Sequence, residues 1–151
     1  MAQSLSKIYI HLVFHIKTSS PTIHPYDMKR IHAYIGQLIN ITGCHILKVG
    51  GTDNHIHILF LLSKDTCISH VVEEVKRNSS RWIKTINPHY NNFAWQHGYA
   101  AFSVGQSVVE KTIRYIEKQQ EHHAKRSFKD EYIAFLKLYD VAYDENYVFS
   151  D

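Results

Sequence analysis

The 151-residue chain has few cysteines and no long apolar stretch. Cys44 and Cys67 are its two cysteines and form no CxxC pair, which argues against a disulfide framework and fits a reducing compartment. No run approaches the roughly 20 apolar residues of a transmembrane helix, and the first residues lack the apolar segment of a signal peptide. We therefore expect a cytoplasmic protein without a membrane segment.

Charge is also modest, with a net charge of +3 and a pI near 8.8. A mildly basic chain permits nucleic-acid binding without requiring it. Hydrophobic residues make up 44% of the sequence, which indicates a globular protein with a buried core. The abundant residues are 12 histidines and 10 tyrosines, which can supply metal ligands, nucleophiles and base-stacking rings.

Hydrophobic periodicity divides the chain into strands and helices. Four segments have the pattern of strands: residues 7–17, 44–50, 55–62 and 99–104. Helical spacing covers residues 26–41 and 67–86. A third helix begins at a capping box of Ser107 and Glu110 and continues to about residue 124. Ser127 and Asp130 begin another short helix, and the last dozen residues form an acidic, aromatic tail.

This order of elements, β-α-β-β-α-β with additional C-terminal helices, predicts an α+β protein. The expected arrangement is ferredoxin-like, with two helices on one face of an antiparallel sheet. We expect a single domain over residues 1–151, with a core of about 5–124 and a C-terminal helix and tail of about 127–151. Strand alternation places four histidines on the opposite face of the sheet: His11, His15, His55 and His57. Such a face requires water, a metal or a ligand.

The tripeptide His55-Ile56-His57 is the sharpest local motif. Residues two apart on a strand project from the same face, so the two imidazoles can converge on one metal ion. Ile56 then points into the core and anchors the strand. The alternative interpretation is two partly exposed histidines on an amphipathic strand.

Tyr115 and Gln119 lie four residues apart on the third helix and therefore share a face. Neither falls on the apolar stripe of that helix, so neither is an obvious core residue. By periodicity alone, Tyr115 is a surface or interface aromatic. His122 lies on the same side, either as an additional ligand or proton carrier or as a solvated histidine near a helix end.

Together these segments resemble the single-tyrosine HUH transposases of small bacterial insertion sequences, including the relatives associated with repetitive extragenic palindromes. The resemblance covers nearly the whole chain. It is carried by the His-hydrophobic-His strand and by four further stretches, in order: IYIHLVFHIK, VKRNSSRWI, GYAAFSVGQS and the tyrosine helix YIEKQQEHH. The tail SFKDEYIAFLKLYDVAYDENYVF also looks like the family.

The resemblance implies a function and a set of site residues. His55 and His57 match the pair that binds a divalent metal, Tyr115 matches the nucleophile, and Gln119 matches a third metal ligand. The expected cofactor is Mg²⁺ or Mn²⁺. The expected activity is cleavage and rejoining of single-stranded DNA at hairpin-bearing element ends through a 5′-phosphotyrosine. The family also implies a homodimer with composite sites, in which the histidines and the tyrosine helix come from different subunits; Gly105 is then either a hinge or a simple turn residue.

The helix over residues 67–86 presents basic side chains at helical spacing. Given the resemblance, we interpret four of them as contacts to DNA phosphates: Lys76, Arg77, Arg81 and Lys84. Trp82 and Trp95 are candidates for stacking on bases, although the position of Trp82 on the apolar stripe favours the core. The alternative is an ordinary solvated charged face above two core tryptophans.

Three other functions fit parts of the pattern. A domesticated, non-catalytic relative would bind folded single strands without cutting them, although the intact set of four site residues argues against it. A replication or conjugation initiator of the same superfamily usually carries a helicase domain, for which 151 residues leave no room. A ferredoxin-like metalloenzyme acting outside nucleic acids finds no support in a phosphate loop or a Ser or Cys triad.

Overall fold

A computed structural model of the chain describes residues 2–123 and 126–151. These residues contain four strands and five α-helices, in this order: β1 (Tyr9–His15), α1 (Pro25–Ile41), β2 (His45–Gly51), β3 (His55–Leu61), α2 (Ile68–Ile86), β4 (Ala100–Val104), α3 (Val109–Glu117), α4 (Gln119–His123) and α5 (Phe128–Leu138). Within these described ranges, no helix is both long enough and apolar enough to cross a bilayer.

The four strands form one antiparallel sheet in the order β2-β3-β1-β4. This is the topology expected from a ferredoxin-like β-α-β-β-α-β order. The central strand β1 pairs with β3 and β4, and β2 and β3 form the expected hairpin. Strand β3 lies between β2 and β1 and packs against helices on both faces, so it is buried as its nearly continuous apolar sequence predicts.

Helices α1 and α2 cover one face of the sheet. Their apolar stripes pack onto the inward residues of β1 and β3, which include Leu12, Phe14, Ile56 and Ile58. Pro25 occupies the first turn of α1, where its missing N–H costs nothing. The main core therefore lies between this face and the two helices, and the histidine-bearing face is turned away from it.

The opposite face carries the C-terminal helices. Ile116 of α3 packs with Leu59 of β3, and α5 packs Tyr132 and Leu136 against Val13 of β1 and its neighbours on β4. Ser127 caps α5, because its side chain accepts a hydrogen bond from the Asp130 amide at 3.2 Å, as predicted. Helices α3 and α5 thus stand on either side of the histidines.

Two expectations for the third helix are wrong. The predicted continuous helix ends at Glu117, and Gln119 begins a separate short helix after Lys118. The predicted capping box does not form: Ser107 lies in a 3₁₀ turn, and α3 begins only at Val109 without a side-chain cap on its first turn within the described residues. The pattern of residue types was present, but the backbone turns too tightly at residues 106–108 for that bond.

Candidate metal and nucleophile site

Strand β3 places His55 and His57 next to each other on the sheet face that carries the C-terminal helices. Both side chains are fully buried, and their ring centroids are 5.2 Å apart. Ile56 between them is also fully buried and lies in the main core, so it fixes the strand from the other side. The period-two alternation predicted from the sequence is therefore confirmed for this motif.

Each imidazole is oriented by hydrogen bonds to its Nδ1 atom. His55 Nδ1 lies 2.9 Å from Thr52 Oγ1 and 2.9 Å from Asn54 Oδ1. His57 Nδ1 lies 2.8 Å from His11 Nε2. Partners on Nδ1 hold the rings with both Nε2 atoms turned toward the same space, the arrangement that metal-binding histidines require.

The other two histidines of the face have different roles. Burial, and then the neighbouring His57, lower the pKa of His11 to about 3, so His11 stays neutral and serves as the hydrogen-bond partner of His57. His15 lies at the end of β1, with Nδ1 2.7 Å from its neighbouring carbonyl at Ile16. His15 therefore stands outside the pair formed by His55 and His57.

Tyr115 and Gln119 reach this site within the same chain. Gln119 is almost completely buried, its Oε1 lies 3.1 Å from His55 Nε2, and its amide nitrogen donates to the Tyr115 carbonyl at 3.4 Å. The Tyr115 ring centroid is 5.9 Å from that of His57. The chain thus brings all four predicted residues together from its own sequence, which differs from the composite arrangement that the resemblance implies. The side chain of His122 lies outside the described residues.

Glu131 of α5 also enters the site, and sequence reasoning missed it. This side chain is only 3% exposed; Oε1 lies 3.0 Å from His57 Nε2 and 3.9 Å from His55 Nε2. Its other oxygen, Oε2, accepts a hydrogen bond from the Tyr115 hydroxyl. Burial would raise the pKa of Glu131, but the hydrogen bond and charge of His57 lower it to about 2, so the carboxylate is ionised.

The hydrogen bond between Glu131 and Tyr115 also affects the pKa of Tyr115, the candidate nucleophile. The pKa of Tyr115 is raised well above its usual value, first by burial and then by the hydrogen bond to the Glu131 carboxylate. In this arrangement the phenol is protonated at neutral pH. The spacing of Phe128, Glu131 and Phe135 gave a signal for this carboxylate, since it lies on the aromatic face of α5 rather than its solvent side.

The donor atoms around this space fit a divalent cation. Two imidazole nitrogens, the amide oxygen of Gln119 and a carboxylate oxygen are a mixed nitrogen and oxygen set, which suits Mn²⁺ and is compatible with Mg²⁺. The ligand atoms of His55, His57 and Glu131 all lie within 4.8 Å of one another. The histidine-bearing face of the sheet therefore contains a group of residues able to hold a metal beside a tyrosine hydroxyl.

The predicted DNA-contacting residues on α2 differ in their surroundings. Lys76 is half-buried, and its ammonium donates to the carbonyl oxygens of Gln96 at 2.8 Å and Gly98 at 2.6 Å. Burial lowers its pKa to about 8. Arg77 forms ion pairs with Glu73, at 3.0 Å, and with Glu74. Arg81 and Lys84 are exposed on the helix surface.

Trp95 lies in the protein interior, and Trp82 is partly buried against the main core. Trp82 stacks on Tyr34, with ring centroids 4.1 Å apart and planes 10° from parallel, and packs against the main core. Trp95 is 6% exposed, and its indole N–H donates to Ser79 Oγ at 2.9 Å. Neither ring is presented for stacking on bases, so the core interpretation is the one that the structure supports. Gly105 has an extended backbone that any residue can adopt, with open space around it.

Comparison with known proteins agrees with this fold. Among solved structures, a candidate transposase from Deinococcus radiodurans R1 superposes with a TM-score of 0.60 at 17% identity, covering 79% of this chain and 98% of that one. A REP-associated tyrosine transposase bound to a REP hairpin gives a TM-score of 0.60 at 13% identity, covering 95% of this chain and 91% of that one. No curated protein sequence gives a significant match.

The sequence itself matches a family model described as IS200-like transposase over residues 4–119, well over half of the chain. That range includes the histidine pair, Tyr115 and Gln119; it ends at the first residue of α4 and does not include α5. The protein belongs to the IS200-like transposase family.

Proposed function

We propose that this transposase cuts and rejoins single-stranded DNA at hairpin-bearing element ends through a covalent 5′-phosphotyrosine. The observation that carries the proposal is the convergence of the Tyr115 hydroxyl, the Gln119 amide oxygen and the Nε2 atoms of His55 and His57 in one buried site. A nucleophile placed beside metal-ligating groups is the arrangement that phosphoryl transfer requires.

In this proposal Tyr115 attacks the scissile phosphorus through its phenolic oxygen. The bond from phosphorus to the 3′ oxygen breaks, which leaves a 5′-phosphotyrosine and a free 3′-OH. Because a phenol has a reference pKa of about 10, it leaves more readily than an aliphatic hydroxyl, so attack by a 3′-OH reverses the step without ATP. His55, His57 and Gln119 hold the divalent metal, Mg²⁺ or Mn²⁺, which when bound polarises the phosphate and stabilises developing charge.

The substrate class rests on the relatives and on surface charge. One neighbour of the same fold is described as bound to a REP hairpin, which supports folded single-stranded DNA as the partner of this chain as well. Arg81 and Lys84 are exposed cations on α2 and are therefore accessible to DNA phosphates. Lys76 and Arg77 already bind partners within the protein, so their contact with DNA requires those partners to be exchanged.

A non-catalytic hairpin-binding protein is the second candidate. It is favoured by one observation: the Tyr115 hydroxyl is already bound to Glu131, and its raised pKa opposes formation of the phenolate. The two candidates share a substrate and differ only in whether a covalent bond forms.

The deciding experiment mixes the purified chain with hairpin-bearing single-stranded DNA and Mn²⁺, then measures an SDS-resistant protein–DNA adduct on a denaturing gel. We expect an adduct with wild type and with Tyr147→Phe, a matched control because that side chain is 71% exposed. Tyr115→Phe should give none. An adduct that persists in Tyr115→Phe would move the nucleophile elsewhere. Gel-shift binding without an adduct across a broad hairpin set would favour the second candidate.

The subunit arrangement needs a separate test. The resemblance predicts a homodimer with composite sites, whereas the contacts described above support a site completed by the chain's own tyrosine. Mixing His57→Ala with Tyr115→Phe distinguishes them. Composite sites would recover adduct in the mixture, because a mixed dimer contains one intact site. Sites completed within one chain would recover none, and light scattering would report the oligomeric state of each sample.

A further inference from the structure

Glu131 lies where a further ligand of the same metal would lie. Ligand atoms bound to one ion at about 2.0–2.2 Å are roughly 3 Å apart. The Glu131 Oε1 atom is 3.0 Å from His57 Nε2 and 3.9 Å from His55 Nε2. Gln119 Oε1 is 3.1 Å from His55 Nε2. Small side-chain adjustments therefore suffice for all four atoms to share one cation.

The position of this carboxylate is set by helix packing. Phe128, one turn before Glu131, stacks on His55 with ring centroids 4.3 Å apart. Tyr132 and Leu136 of the same helix are buried against the sheet. Because α5 is anchored on both sides of Glu131 and capped by Ser127, the carboxylate is held in place by its helix as well as by its own hydrogen bonds.

Burial of the Glu131 carboxyl group also fits a role as a ligand. A carboxyl group that is only 3% exposed requires polar partners. Its two oxygens face His57 Nε2 and the Tyr115 hydroxyl, so the group lies between a predicted metal ligand and the candidate nucleophile.

We propose that Glu131 is a fourth protein ligand of the metal and that it links the metal to the nucleophile, with Oε1 on the ion and Oε2 accepting the Tyr115 hydroxyl. This inference rests on the proposed function, because it concerns the same metal. Four protein ligands leave positions for phosphate oxygens in a six-coordinate ion. Glu131 would position Tyr115 through its second oxygen, so one side chain both binds the cation and orients the attacking group.

If Glu131 is not a metal ligand, its substitution should have the opposite effect on metal affinity. A carboxylate that merely occupied the metal position as a hydrogen-bond acceptor for His57 would compete with the cation. Removing its charge would then tighten metal binding, whereas removing a ligand weakens it. The two roles are therefore separated by the sign of one change in affinity.

The test is a titration of the full chain with Mn²⁺ in the absence of DNA, with free Mn²⁺ measured by its electron paramagnetic resonance signal. We expect Glu131→Gln to raise the Kd at least about tenfold, as loss of metal-site partners typically does. Asp130→Asn, an exposed neighbour on the same helix, should leave the Kd unchanged. His57→Ala identifies the Mn²⁺ bound at this site, because that part of the binding should be lost relative to wild type. Circular dichroism confirms folding. If Glu131→Gln does not fold, Glu131→Asp replaces it: the carboxylate is then one methylene shorter and retracts from the ion, so the Kd should again rise, and an unchanged Kd would overturn the inference.

An unchanged or smaller Kd in Glu131→Gln would overturn the inference. That result would leave the proposed function intact as long as wild type still forms the Tyr115 adduct. Conversely, if wild type forms no adduct, the proposed function fails whatever the metal affinity of the variants.

Discussion

Replacing Gly50 by alanine should displace α3, the helix that carries the proposed nucleophile Tyr115. Gly50 lies on β2 beneath α3, and a Cβ added there would be 2.5 Å from the Ile116 carbonyl oxygen and 2.7 Å from Ile116 Cγ2. Normal contacts are about 3.5 Å, so α3 must move by about 1 Å. Overpacking of this kind costs about 1–3 kcal/mol in the free energy of unfolding. Because Tyr115 directly precedes Ile116, the same shift should slow adduct formation by about a hundredfold.

Gly36→Ala provides the matched control. Its Cβ would meet Ile46 Cγ1 at 3.6 Å, an ordinary contact, and alanine stabilises a helix relative to glycine by up to about 1 kcal/mol. Urea denaturation gives the unfolding free energy of each variant, and the denaturing gel gives the rate of adduct formation. We expect Gly36→Ala to match or exceed wild type in stability and to keep its rate. If Gly50→Ala also matched wild type in both, the packing of α3 on β2 would not be what positions Tyr115.

Three other perturbations test other parts of the structure. Burial, and then Lys48, lower the pKa of His32 to about 4, below the 6.5 of an unfolded chain. The unfolded state therefore binds the proton first, and the unfolding free energy should fall by up to about 1.4 kcal/mol per unit as pH drops from 6.5 toward 4. His32→Gln should flatten that part of the profile in urea denaturation; parallel profiles would contradict it. Tyr90→Phe removes a 2.6 Å hydrogen bond to the buried Asp27 carboxylate and should cost about 1–3 kcal/mol by the same measurement, whereas no loss would mean that water replaces the phenol. The double variant Arg81→Ala with Lys84→Ala should weaken hairpin binding and reduce the slope of log K against log salt by about 1.4, and an unchanged slope would place the DNA elsewhere.

Strand periodicity was sufficient to predict which histidines share one face of the sheet. A period of two is set by backbone geometry, so His11, His15, His55 and His57 could be assigned to one face without knowing their neighbours. The topology followed from the order of elements, since connections between neighbouring elements permit few arrangements. Helical phase likewise separated Tyr115 from the core stripe, although only the resemblance identified it as a nucleophile.

Glu131 and Lys76 show what local patterns could not predict. Glu131 joins the histidines across 74 residues of sequence through the packing of α5. Periodicity places it on the aromatic face of that helix but does not encode which part of the sheet this face contacts. Lys76 has the spacing of a surface cation on α2, yet its ammonium binds carbonyl oxygens of residues 96–98. In both cases the sequence assigned the residue to a helix and the contact depended on a distant segment.

Lys118 separates Tyr115 on α3 from Gln119 on α4, with φ −101° and ψ 22° at the interruption. In one continuous helix, residues four apart would keep a fixed spacing. Here the two side chains belong to separate helices, so the spacing between the phenol and the amide depends on how α3 and α4 each pack and not on the geometry of one helix. We expect the backbone at Lys118 to move independently of the two helices, and NMR relaxation dispersion of the amides at 117–119 would detect this motion as microsecond-to-millisecond exchange.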